Sequence, residues 1–172
     1  MADEERGIDP QQLEAYFALI EVSGLLRHAV ERQLRDAGGL SYVQFQLLAT
    51  LGDRADGRMR MTDLADGVVY SRSGLTYQVD LLERAGLVAR AAVEDDERSV
   101  AVAITEAGRA RLADVFPGHL EALHRLLLDP LSPADVQSLA DVLGRVREHM
   151  RRLPPRSAAP RRSRPRDDAP EG

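Results

Sequence analysis

Between Thr62 and Ile104 the spacing of apolar residues changes from helical to alternating, which restricts the fold more than any other feature of the chain. Thr62 can cap a brief helix, Asp63 to Val68, that carries Leu64 inward. Val69-Tyr70 separates it from a second helix with Ser71 as N-cap and Leu75, Val79 and Leu82 at i, i+4 and i+7. Gly86 stands where a left-handed residue ends such a helix. Residues Leu87 to Val93 then read as one strand and Val100, Val102 and Ile104 alternate in a second, joined by the charged turn Glu94 to Arg98. A short helix, a tight turn and a longer amphipathic helix make a helix-turn-helix, and the adjoining hairpin makes it a winged helix.

Helices flank this segment on both sides. Residues 11 to about 37 carry two apolar stripes, Leu13, Phe17 and Ile20 on one and Leu19, Val22, Leu26, Val30 and Leu34 on the other. Two stripes need two partners: either a second subunit covers one of them, or the helix is buried within a monomer. Gly38-Gly39 ends it, and Ser41 to Gln44 form a capping box that opens a helix to about Leu51. Arg58 to Met61 is a short extended stretch. After the hairpin, Thr105-Glu106 starts a helix expected to kink or break at Pro117-Gly118, because proline removes a hydrogen-bond donor. Ser132-Pro133 starts the last helix, with Val136, Leu139, Val142, Leu143 and Val146 on its apolar face.

At 172 residues and 44% hydrophobic, the chain can bury one sizeable core. No apolar run approaches the roughly 20 residues that span a bilayer, and Met1 to Arg6 lack the pattern of a secretory signal, so a cytoplasmic protein is expected. The absence of cysteine excludes disulfides, thiol nucleophiles and Cys-ligated zinc. The net charge of −5 opposes non-specific attraction to phosphates. All 23 positive side chains are arginines, with no lysine, which fits a GC-rich genome and carries no functional weight. From Pro154 onward the Pro-, Arg-, Ser- and Ala-rich sequence offers no large apolar group and reads as disordered; its arginines could graze DNA or remain solvated.

With these elements in order, the chain resembles the MarR family of bacterial transcriptional regulators over roughly residues 11 to 152. The resemblance rests on Thr62-Asp63-Leu64-Ala65, Ser71-Arg72-Ser73-Gly74-Leu75-Thr76, Leu81 to Val88, and Asp96-Glu97-Arg98 followed by Ile104 to Gly108. It implies a mostly α fold with a small β-hairpin: a winged helix-turn-helix flanked by N- and C-terminal dimerisation helices. The expected boundaries are a disordered start at 1–10, dimerisation helices at about 11–37 and 106–152, a DNA-binding lobe at about 41–105, and a disordered tail at 153–172. The resemblance further implies a homodimer on double-stranded DNA, repressing from a near-palindromic operator until a small-molecule effector releases it.

The helical wheel of the second helix turns Ser73, Thr76, Tyr77, Asp80 and Arg84 outward. Base reading usually falls to the N-terminal half of a recognition helix, which makes Ser71, Arg72, Ser73, Thr76 and Tyr77 the major-groove candidates. The alternative is a solvated helix face. Tyr77 departs from the arginine or other polar residue frequent there in the family; a phenol can touch a thymine methyl or a phosphate but cannot grip guanine with two hydrogen bonds. Arg98 occupies the position of the family's minor-groove wing arginine, with Asp96 placed to orient it. Four acids surround it, so either Asp96 pairs with Arg98 on a weakly binding wing or the hairpin is structural only.

His119 and His124 are five residues apart, off the face that would converge on a metal, and solvated histidines are expected. Tyr16 and His28 could approach a ligand cavity. No nucleophile elbow, phosphate loop or paired catalytic carboxylates occur, so neither enzyme activity nor a cofactor is expected. The acidic balance and acidic wing leave one rival reading, a winged-helix protein-interaction module without DNA binding.

Overall fold

The capping residues set most of the helix starts. In the computed structural model, which describes residues 7–67, 72–93 and 96–152, α1 runs from Pro10 to Gly38. Asp9 caps it, accepting from the Gln12 N–H at 2.9 Å while the Asp9 N–H donates to Gln12 Oε1 at 3.1 Å, and Pro10 at the first turn needs no donor. Gly39, at φ 65°, ends the helix in the left-handed region. Ser41 and Gln44 form the expected reciprocal box at the start of α2, Tyr42–Gly52. Val43, Phe45, Leu47, Leu48 and Leu51 are all buried, so α2 is the central helix of the lobe.

The extended stretch after α2 is a true strand, β1 (Arg58–Arg60), and leads directly into α3 (Met61–Gly67). Met61 packs against the core and starts that helix, so Thr62 lies inside it instead of capping it. α4 spans Arg72–Arg84, β2 Val88–Val93 and β3 Asp96–Ile104. The sheet has three antiparallel strands in the order β1-β3-β2, with Arg58 opposite Ala103 and Val88 opposite Ile104. The hairpin thus gains an edge strand too short for its alternation to be read.

α5 runs unbroken from Glu106 to Leu123, through Pro117. The proline was expected to interrupt it; packing of α5 along α1 holds it instead, with the buried Val115 as anchor and Gln33 of α1 donating to the Val115 carbonyl at 3.3 Å. The helical irregularity falls later, at a π-helical turn, His124–Leu128, closed by the Asp129 N–H donating to the His124 carbonyl at 2.8 Å. Ser132 and Asp135 then cap α6, Pro133–Arg151.

One core joins the C-terminal half of α1 (Val30, Leu34) to α2, α3, α4 and the inner sheet face. At Gly108 a methyl group would overlap the Leu87 carbonyl, so only glycine lets α5 lie against the turn after α4. Thr105 fixes the same junction: its hydroxyl donates to the Gly86 carbonyl at 2.7 Å and accepts from the Gly108 N–H at 3.0 Å. Outside this core the apolar residues are uncovered. Both stripes of α1 are exposed before Leu26, and α6 contributes no buried residue while exposing Val136, Leu139, Val142, Leu143, Val146 and Met150. Burial of the first helix within one chain is therefore confined to its C-terminal part. Among the described residues no helix is long and apolar enough to cross a membrane.

Candidate nucleic-acid interface

Leu75, Val79 and Leu82 are at most 2% exposed and fix α4 to the core, which turns its opposite face to solvent. Ser73, Thr76, Tyr77 and Arg84 stand on that open face, as their helical spacing predicts, and Tyr77 is 59% exposed. Arg72 is the first residue of α4; Ser71, the expected cap, lies outside the described residues. Asp96 and Arg98 belong to the β3 backbone, but their side chains, and the turn residues Glu94 and Asp95, also lie outside what is described. The structure thus brings Ser73, Thr76 and Tyr77 onto one surface of one helix.

Asp80 departs from expectation. Arg90 on β2 reaches across to α4, with Nη2 donating to Asp80 Oδ1 and Nη1 to Glu83 Oε2, each at 2.5 Å. The Arg90 backbone N–H also donates to Glu83 Oε1 at 3.1 Å. The hydrogen bond to Asp80, then that to Glu83, hold the guanidinium's pKa above its usual value, so it is a permanent cation here. Sequence reasoning placed Arg90 in a strand and went no further. The available signal was its parity: Val88 and Arg90 share the inward face while Ala89 and Ala91 are exposed, so a charge sits where an apolar residue is normal.

The histidines divide. His28 and His124 are exposed, the latter 3.8 Å from Asp129. His119 is not solvated as expected: packing of α5 on α2 sets its ring 4.5 Å from that of Phe45, and burial pushes its pKa below the ordinary histidine value. Nearby, a cleft of about 470 Å³ opens between the end of α2 and the face of α5, lined by Gly52, Arg109, Leu112, Ala113, Phe116 and Pro117. Neither Tyr16 nor His28 lines it. Its lining is mostly apolar, and Arg109 is its one charged residue.

Residues 38–99 match the family model described as MarR family. The chain is 30% identical to the HTH-type transcriptional repressor YetL of Bacillus subtilis over 126 residues, 73% of this chain and 75% of the relative. Its fold is similar to the crystal structure of Sco3205, a MarR family transcriptional regulator from Streptomyces coelicolor, in complex with DNA, with a TM-score of 0.81, 31% identity and coverage of 86% of this chain and 92% of the other. It is also similar to CouR from Rhodococcus jostii RHA1 bound to p-coumaroyl-CoA, with a TM-score of 0.69, 26% identity and coverage of 77% and 90%.

Proposed function

The chain belongs to the MarR family of DNA-binding transcriptional regulators, and from that premise we propose that it acts as a homodimeric, ligand-responsive repressor of a near-palindromic operator. The observation that carries this reading is the uncovered apolar surface of α1 and α6 beside a reading lobe that is otherwise well packed. A second copy related by a two-fold axis covers such a surface with its own equivalent, and the same axis presents two α4 helices to DNA.

In this reading the N-terminal half of α4 enters the major groove. Ser71, Arg72, Ser73, Thr76 and Tyr77 supply its contacts, while Asp96 orients Arg98 toward the minor groove. The cleft beside α5 receives the effector, and Arg109 answers its negative charge. Because α5 links the apolar surface to the lobe through Thr105 and Gly108, a ligand in the cleft can alter the spacing of the two reading helices. That YetL is a repressor and that CouR binds p-coumaroyl-CoA support a repressor that responds to a small molecule.

Fluorescence anisotropy with a duplex from upstream of the chain's own gene, at two salt concentrations, tests the proposal. Saturable binding of two protomers per duplex, weakening as salt rises, is expected. No binding at low salt would favour the protein-interaction module instead.

A further inference from the structure

We propose that Arg90 is a positioning residue for DNA reading: it locks the recognition helix to the wing at a fixed angle and neutralises two carboxylates that flank the reading face. The inference rests on α4 reading DNA. Thr76, Asp80 and Glu83 follow one another at i, i+4 and i+7 along α4, so the row that begins at a base-reading position continues into two acids. These acids border the reading face, and unpaired carboxylates there would weaken its attraction to phosphates.

Arg90 answers both acids at once. One guanidinium nitrogen goes to each carboxylate, and the backbone N–H of the same residue makes a third bond to Glu83. Three bonds between one strand residue and two helix positions three residues apart restrict both rotation and sliding of α4 on β2. A planar fork can do this, whereas a lysine ammonium offers a point charge and cannot span both acids with the same geometry.

The exposure of the cluster separates this role from a stabilising one. Side chains of Arg90, Asp80 and Glu83 are 29%, 35% and 38% exposed, so solvent partly screens the pairs and limits what they add to global stability. Base-edge contacts, by contrast, depend steeply on geometry, and small rotations of α4 degrade them. Arg90 is therefore placed to affect discrimination between sequences far more than folding.

The test uses the full chain, a duplex enriched by it from a random pool and a scrambled duplex of equal length, with anisotropy and thermal unfolding measured on each variant. Arg90→Lys and Arg90→Ala are expected to unfold near the wild-type temperature yet lose about tenfold in the ratio of specific to non-specific affinity. The isosteric double variant Asp80→Asn with Glu83→Gln removes the clamp and the repulsion together. It should lose discrimination as well, while its affinity for the scrambled duplex rises. A wild-type ratio in Arg90→Ala or in the double variant would overturn the proposal, as would an equal loss on both duplexes that tracks lowered stability. Wild-type protein that enriches no sequence would overturn the DNA-reading premise itself, which is a separate failure.

Discussion

Tyr77 projects from the second turn of α4 and is more than half exposed, outside the core. Its expected role is contact with a thymine methyl through the ring and with a phosphate through the hydroxyl. Tyr77→Ala should weaken binding to the preferred duplex by about tenfold, while Tyr77→Phe should retain the methyl contact and lose only the hydroxyl's share. Affinities equal to wild type on every site would remove Tyr77 from the interface. His119 supplies a pH prediction. Burial against Phe45 lowers its folded-state pKa, so the unfolded chain binds the proton more readily. Stability is therefore full above about pH 6.5 and falls as pH drops below it toward the folded-state pKa. His119→Gln should flatten that part of the melting-temperature profile; an unchanged slope would mean that other groups carry it. The outward residues of α4 were legible because a helical period is written in the sequence itself. The Arg90 clamp and the burial of His119 were not, since each depends on which element packs against the residue from a distance along the chain.

At the scale of elements, the wing is where charge and family pattern conflict. Arg98 follows Glu94, Asp95, Asp96 and Glu97, an arrangement that weakens attraction to phosphate unless the arginine itself enters the groove. Arg98→Ala is expected to lower affinity for all duplexes and reduce the slope of log affinity against log salt by about 1. An unchanged slope would assign the wing a structural role only. The elements that could be read in advance carry their own local signals: the capping box at Ser41, the N-cap Ser132 before Pro133, Gly86 after α4, and the alternation of Val100, Val102 and Ile104. The discrepancies arise where tertiary packing overrides local preference. Three residues of β1 are held by pairing with β3, Met61 starts α3 by docking on the core, and Pro117 stays helical in a helix that α1 holds through Gln33 and the Val115 carbonyl.

At the scale of the whole molecule, the apolar faces of α1 and α6 determine assembly. Leu139 and Val146 lie two turns apart on the same face of α6 and are both exposed in one chain. Leu139→Glu combined with Val146→Glu should give a monomer in sedimentation, with the reading lobe still folded. Affinity for a two-half-site duplex should fall at least about a hundredfold, because the second half-site contact is no longer intramolecular. A stable dimer of this variant would place the interface elsewhere. The two apolar stripes on the first helix were visible in sequence, but two readings fitted them until the structure left both exposed along its first half. Net charge pointed away from nucleic acid, because a sum over 172 residues says nothing about which of them share a surface.

The most direct measurement is selection of bound duplexes from a random pool by the purified full-length chain, followed by sequencing. A dimer reading DNA through paired α4 helices predicts enrichment of an inverted repeat whose half-sites are centred about 10 base pairs apart, one turn of the double helix. Enrichment of a single half-site, or of no sequence at all, would contradict it.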